Sequence, residues 1–141
     1  SDKTMNLITL LFFIIIVVSL FILPNKAYNS TNKEMINSKI INYIKEEKIT
    51  NLYNYYDYGG YLIYNDIKVF VDGRADIYSS NNLKDVYNLM FLKGDPESII
   101  SKYGLEYFLI PNDIPLSIYF ENKSNYLKIM CENEICIYKK E

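Results

Sequence analysis

The chain contains no histidine and no tryptophan, and Arg74 is its single arginine. Histidine is the residue that most often transfers protons near neutral pH, and it is the commonest metal ligand. Its absence excludes histidine-dependent catalytic triads and histidine-based zinc sites. Any acid–base chemistry would have to use Asp, Glu or Tyr side chains with shifted pKa values.

Basic residues are too few to indicate a nucleic-acid partner. Lys and Arg together number 15 against 17 Asp and Glu, which gives a formal net charge of −2. Proteins that bind nucleic acids usually carry a clustered basic surface that attracts the phosphate backbone. We therefore expect no nucleic acid among the partners, and we attribute the 15 tyrosines to compositional bias rather than to chemistry.

One long uncharged run stands near the start of the chain. The run Leu7–Leu23 is apolar except for Thr9 and Ser19. A helix over this run would be roughly 30 Å long, enough to cross the hydrocarbon core of a bilayer. A signal peptide would have a basic first region and a small-residue cleavage site, neither of which is present. The run therefore predicts a transmembrane helix within residues 1–24.

The chain does not begin with methionine, which predicts that it is the C-terminal part of a longer chain. On this interpretation, residues 1–24 are the last span of a multi-pass membrane protein. Residues 25–141 form a separate α/β domain. The lipid bilayer and the missing upstream spans are then its expected partners.

Apolar periodicity and capping signals predict alternating helices and strands. Strands are expected at Thr50–Tyr55, Ile67–Val71 and Leu105–Ile110, with a terminal hairpin at Tyr126–Cys131 and Ile135–Tyr138. Helices are expected after a capping box at Thr31–Glu34, over Tyr61–Asn65, over Leu83–Leu92 with Asn82 as its cap, and from Pro96 to Gly104. Strands separated by helices tend to pair in parallel. The predicted fold class is therefore α/β: a small mixed sheet with parallel core strands and a C-terminal β-hairpin, covered by helices.

The two cysteines flank the predicted hairpin turn. If Asn133 and Glu134 form the turn, Cys131 and Cys136 lie directly opposite each other, and a cross-strand disulfide is compatible with this geometry. Composition alone does not give the redox compartment, so we expect two reduced, half-buried thiols. Two cysteines without further Cys or His offer too few ligands for a zinc site.

The most distinctive residues lie between positions 55 and 76. The candidate ligand-binding residues are Tyr55, Tyr56, Asp57, Tyr58, Gly59, Gly60, Asp72, Arg74 and Asp76. If the first three predicted strands are parallel, these acids follow carboxyl ends of strands, together with Asn112 and Asp113. That edge is where open α/β sheets bind ligands. The glycines would let a ligand approach the backbone, and tyrosine rings offer flat amphipathic contacts.

A purely structural role for the same residues is an equally weighted interpretation. Arg74 could neutralise Asp57, Asp72 or Asp76 and so hold two loops together, because a guanidinium among carboxylates is often structural. Neither a nucleophile nor a recognisable metal-ligand spacing accompanies these residues. We therefore assign no catalytic residue and no metal ligand to this chain.

The order and spacing of three runs resemble a known group of proteins. The runs are Tyr-Asp-Tyr-Gly-Gly-Tyr-Leu-Ile-Tyr, Val-Phe-Val-Asp-Gly-Arg-Ala-Asp-Ile-Tyr and Tyr-Gly-Leu-Glu-Tyr-Phe-Leu-Ile-Pro. They resemble the C-terminal extracytoplasmic domain of multi-pass bacterial membrane proteins of the GT-C glycosyltransferase class. The resemblance runs from about Lys33 to Ile110, and the closing hairpin fits it. More distantly, residues 55–59 are similar to the W-W-D-Y-G motif of the oligosaccharyltransferase catalytic subunit, which helps to bind the hydroxyl residue of the acceptor sequon.

The resemblance implies the C-terminal part of a membrane glycosyltransferase-like protein that uses lipid-linked sugars. The domain would lie on the extracytoplasmic face of the cell membrane, where Tyr55, Tyr56 and Asp57 would occupy the acceptor-binding position. The acids for a divalent metal and the lipid-linked sugar would lie in earlier loops, so this fragment would hold no cofactor and would not be catalytic by itself. The alternative is a stand-alone, membrane-anchored extracytoplasmic module that binds a ligand or is structural.

Overall fold

The computed structural model describes residues 11–16 and 35–141. Residues 11–16 are helical, and all six of their apolar side chains are exposed. The rest of the predicted transmembrane helix lies outside the described residues, and so does the predicted capping box at Thr31–Glu34. Among the residues that are described, no helix is both long enough and apolar enough to cross a bilayer.

Residues 35–141 form one compact unit around a four-stranded mixed sheet. The strands are β1 (Leu52–Asn54), β2 (Tyr107–Pro111), β3 (Tyr126–Glu132) and β4 (Ile135–Lys140), in the order β1-β2-β4-β3. β1 and β2 are parallel, whereas β4 runs antiparallel to both β2 and β3. The α/β class, the parallel pair and the closing hairpin are confirmed, with strand bounds that differ by a few residues from those predicted.

Helices cover both faces of the sheet within residues 35–141. They are α1 (Ser38–Glu46), α2 (Gly59–Tyr64), α3 (Ser80–Met90), α4 (Pro96–Tyr103) and α5 (Pro115–Glu121), with 3₁₀ turns at Tyr56–Tyr58 and Ala75–Ile77. Successive strand residues point to opposite faces. Leu109 and Ile137 belong to an apolar cluster with α1 and α2, whereas Phe108 and Tyr138 belong to one with α3, α4 and α5. The architecture is therefore three layers, helix–sheet–helix.

Local capping chemistry explains where the helices begin and end. Asp95 caps α4 by accepting from the Glu97 N–H, and Gly104 ends α4 in the left-handed region at φ +60°, both as predicted. α3 begins earlier than expected, because the Ser79 hydroxyl accepts from the Asn82 N–H. Asn82 therefore lies in the first turn of α3 and does not cap it.

The predicted second strand, Ile67–Val71, is wrong. Within residues 35–141 this segment takes part in no strand pairing. Its apolar and β-branched residues did indicate burial correctly, since Ile67 and Val71 are both buried. Burial alone does not require a backbone ladder, and the segment is held to the sheet in another way.

The side chain of Asn54, at the end of β1, binds this segment in place of a ladder. Its Oδ1 accepts from the N–H groups of Phe70 at 2.8 Å and Val71 at 3.4 Å. Its Nδ2 donates to the carbonyl oxygens of Val71 at 2.8 Å and Tyr55 at 3.0 Å. An amide side chain has two donor hydrogens and two acceptor lone pairs, so the fully buried Asn54 is satisfied.

A second polar group joins the elements of the opposite face. Glu97, in the first turn of α4, accepts from the Tyr126 hydroxyl at 2.7 Å and the Tyr119 hydroxyl at 3.1 Å. The Lys140 ammonium lies 2.9 Å from its other oxygen. Burial raises the pKa of Glu97, but these donors outweigh burial and the net shift is downward. One carboxylate thus links α4 to α5, β3 and β4.

Cys131 and Cys136 form a disulfide across the hairpin, so the expectation of two reduced thiols is wrong. The predicted register is confirmed, because the two residues are direct partners in the β3–β4 ladder. Asn133 and Glu134 form the turn with φ values of 51° and 68°, as a two-residue type I′ turn requires. Cys136 is buried and Cys131 is exposed. Sequence spacing permits both redox states and could not decide between them.

Replacing Asn54 with Ala should lower the free energy of unfolding by about 2–4 kcal/mol, because the buried backbone groups of Val71 and the partly buried N–H of Phe70 lose their partners. Urea unfolding followed by circular dichroism measures the loss. Asn51→Ala is the matched control, since the exposed Asn51 amide makes one long hydrogen bond to Glu106. Equal, small losses in both variants would show that the Asn54 contacts do not hold the segment.

Candidate functional site

The acids that follow β1 and β2 lie at one edge of the sheet, because the two strands are parallel. Asp57 lies in the 3₁₀ turn after β1, and Asp113 follows β2. Both acids act electrostatically on the same phenol: burial raises the pKa of Tyr58, and the negative charges of Tyr55, Asp113 and Asp57 raise it further. The predicted gathering of acids at this edge is thus present for these two strands.

Gly59 brings the start of α2 against the segment that carries Asp72. A Cβ atom at Gly59 would lie 2.4 Å from the carbonyl oxygen of Val71 and 2.5 Å from the Cβ of Asp72. No side chain fits at such distances, so the requirement for glycine comes from close packing. The space beside Gly59 is filled by the chain itself. Gly60 is exposed, and a Cβ there would meet nothing within 4 Å.

Asp72 and Arg74 form an ion pair that is buried on one side. The Asp72 side chain is 2% exposed and the Arg74 side chain is 62% exposed. Arg74 Nη2 lies 2.6 Å from Oδ2, Nε lies 3.1 Å from Oδ1, and the Arg74 backbone N–H donates to Oδ1 at 2.8 Å. The carboxylate therefore points into the domain and the guanidinium faces solvent.

The Arg74 hydrogen bonds lower the pKa of Asp72 to about 2, although burial acts in the opposite direction. The nearby Tyr78 phenol lowers the pKa of Asp72 slightly further. Asp57 and Asp76, the other predicted partners of Arg74, are exposed. Among residues 35–141, the ion pair of Arg74 is with Asp72. Arg74 therefore pairs with an acid of its own loop and does not join two loops. The two loops are held together instead by the hydrogen bonds of Asn54 and by the close packing at Gly59.

A shallow depression of about 370 Å³ lies beside the ion pair. It is lined by Gly60, Ile63, Asp72, Gly73 and Arg74. Three of these residues were predicted from the sequence. Ile63 was not predicted, although helical spacing could have indicated it, because Ile63 lies one turn after Gly60 on the exposed side of α2.

The tyrosines of the predicted site, Tyr55, Tyr56 and Tyr58, are not among the residues that line this depression. Tyr58 is buried, and Tyr55 and Tyr56 are half-buried. The Tyr55 and Tyr58 rings lie 5.4 Å apart, and both pack against the apolar cluster that also contains α1 and α2. These two rings therefore belong mainly to the core, while Asp57, Gly60, Arg74 and Asp76 are exposed.

No three His, Cys, Asp or Glu residues in the described ranges are arranged to hold a metal ion. Neither a family model, a curated protein nor a solved structure matches this chain. The function is therefore inferred from the chain's own residues and from the motif resemblance.

The two adjacent glycines should respond oppositely to substitution by alanine. Gly59→Ala should cost about 1–3 kcal/mol or more of unfolding free energy, because the added methyl overlaps the Val71 carbonyl. Gly60→Ala should be neutral or stabilising by up to about 1 kcal/mol, because alanine favours the helix and the space is open. Thermal and urea unfolding of the two variants test this. A Gly59→Ala variant as stable as the wild type would contradict the described packing.

The contribution of Asp72 to stability should disappear at low pH. Its folded pKa is lowered from 3.8 to about 2, so the ionised carboxylate stabilises the fold above its unfolded pKa. The difference in unfolding free energy between wild type and Asp72→Asn should be constant from neutral pH down to about pH 5, and should then shrink towards pH 2. Urea midpoints at stepped pH values measure it. Asp76→Asn controls for the removal of one charge from the same loop. A difference in unfolding free energy between wild type and Asp72→Asn that does not change with pH would contradict the ion pair.

Proposed function

We propose that this chain is the C-terminal part of a membrane glycosyltransferase-like protein that uses lipid-linked sugars. The domain of residues 35–141 positions the acceptor or stabilises the membrane part, and the chain alone does not turn over substrate. The observation that carries the proposal is the close contact of Gly59 with Val71 and Asp72, which brings the Asp72–Arg74 pair against the turn that carries the exposed Asp57 two residues before Gly59. These residues are the ones that supply the motif resemblance.

The proposal places the domain on the extracytoplasmic face of the cell membrane, with residues 1–24 as its anchor. The apolar run Leu7–Leu23 supports the anchor. The Cys131–Cys136 disulfide supports a location outside the cytoplasm. Disulfides persist in oxidising environments outside the cytoplasm and are rare inside it.

Within this site, we assign the acceptor contact to Asp57. Its carboxylate is exposed, whereas that of Asp72 is buried and already satisfied by Arg74. An ionised carboxylate accepts hydrogen bonds only, so it suits a hydroxyl or amide donor of an acceptor. The half-buried Tyr56 beside it offers an aromatic surface.

A second candidate function is a stand-alone, membrane-anchored module without transferase activity. The observation that favours it is the pairing of Arg74 with Asp72, because a mutually satisfied ion pair can serve structure alone. The coding sequence upstream of Ser1 distinguishes the two candidates. Several further apolar spans and an acidic pair in the first outer loop support the transferase, and a coding sequence that starts near Ser1 contradicts it.

In the full-length parent protein, Asp57→Asn should reduce transfer from a lipid-linked sugar at least about tenfold, because a charge-assisted hydrogen bond to the acceptor is lost. The thermal stability of the variant should stay at the wild-type value, because the side chain is exposed. Asp66→Asn is the matched control, an exposed acid that is not among the candidate ligand-binding residues. Unchanged transfer together with reduced stability would favour the structural candidate.

A further inference from the structure

We propose that Arg74 binds a phosphodiester carried on an apolar group, in the depression between α2 and the loop that follows Asp72. The inference deepens the proposed function and rests on it for the source of the ligand, since lipid-linked sugars join the sugar to an apolar chain through phosphate. The anion site itself depends only on the geometry of residues 60–74.

The orientation of the ion pair leaves guanidinium donors at the surface. Arginine has five N–H donors in a planar fork, and Asp72 engages those on Nε and Nη2. The Tyr78 phenol lies close enough to act on the guanidinium electrostatically. Because the carboxylate is inside and the Arg74 side chain is 62% exposed, the positive end of the pair faces the depression. The donors that Asp72 does not engage, two on Nη1 and the second on Nη2, suit the paired oxygens of a phosphate group.

The charge balance of the pair selects among phosphate groups. Asp72 already cancels the charge of Arg74, and the exposed Asp76 follows two residues later. The site therefore offers directed hydrogen bonds and a local dipole, without net positive charge. A singly charged phosphodiester suits this environment better than a doubly charged free phosphate, which the nearby acids repel more strongly.

The wall of the depression is apolar and open. Ile63, the apolar side chain that lines it, is 42% exposed. Gly60 and Gly73 add no side chains, and a Cβ at either position would meet nothing within 4 Å. A water molecule occupies about 30 Å³ of liquid, so the volume of about 370 Å³ holds a phosphate and several methylene groups. An apolar group covering Ile63 gains the free energy of removing that surface from water.

The single arginine provides a direct test. In the full 141-residue chain, the Arg74 Nε–H group gives one unambiguous arginine side-chain peak in a proton–nitrogen correlation spectrum. Dihexanoylphosphatidylglycerol, a short-chain phosphodiester with one negative charge, should shift this peak saturably. Inorganic phosphate should bind at least about tenfold more weakly, and dihexanoylglycerol, which has the same apolar chains and no phosphate, should not shift the peak. Absence of a shift with phosphatidylglycerol, or equal affinity for inorganic phosphate, would overturn the proposal.

Two variants test the contributions of the guanidinium fork and of the apolar wall separately. Affinities are measured by isothermal titration calorimetry. Arg74→Lys keeps a cation beside Asp72 but loses the fork, and should weaken phosphatidylglycerol binding at least about tenfold. Ile63→Asn leaves the ion pair in place and should weaken phosphatidylglycerol binding without changing phosphate binding. Lys68→Gln, at an exposed cation, should change neither. Wild-type affinity in Arg74→Lys or Ile63→Asn would overturn the proposed site.

The phosphodiester site and the proposed function can fail independently of each other. If Asp57→Asn abolishes transfer in the parent protein and the Arg74 peak does not move, the phosphodiester site is wrong and the transferase proposal stands. If phosphatidylglycerol binds through Arg74 and Asp57→Asn leaves transfer unchanged, the binding site stands and the acceptor assignment falls.

Discussion

The geometry of the candidate site depends on one buried side-chain amide, that of Asn54. β1 has three residues and lies at an edge of the sheet, so it offers little backbone for a neighbour to pair with. The Asn54 amide supplies the hydrogen bonds that a neighbouring strand would otherwise make, because it bonds both the N–H and the carbonyl of Val71. Asp72 is the next residue, so its position is fixed relative to β1 although no ladder reaches it.

Gly59 completes that arrangement from the other side. The turn after β1 can approach the Asp72 backbone only because position 59 has no Cβ. The tight contact buries the carboxylate, burial makes an unpaired charge costly, and Arg74 supplies the charge and hydrogen bonds that the carboxylate needs. The exposed guanidinium is thus the outermost member of a chain of contacts that begins at the sheet.

Sequence reasoning succeeded where the structural cause is local. Asp95, Pro96 and Gly104 define α4 through backbone capping, and Asn133-Glu134 form the hairpin turn between paired cysteines. It failed where the cause is distant in the chain. The apolar run at 67–71 has the composition of a strand, and nothing near it in sequence reveals that Asn54, 16 residues before Phe70, takes up its backbone groups. The acid that pairs with Arg74 could not be predicted, because it depends on how one loop folds. The redox state of the two cysteines could not be predicted either, because it depends on conditions outside the sequence.

The irregular path of residues 67–71 also affects how the sheet ends. An exposed edge strand presents unpaired N–H and carbonyl groups, which can recruit strands from other molecules and start aggregation. At the β1 edge, the segment fastened by Asn54 follows no strand geometry and so offers no such template. At the opposite edge, β3 has an irregularity between Lys128 and Met130, and Lys128 is exposed. Both margins of the sheet are thereby unsuited to edge-to-edge association between copies of the domain.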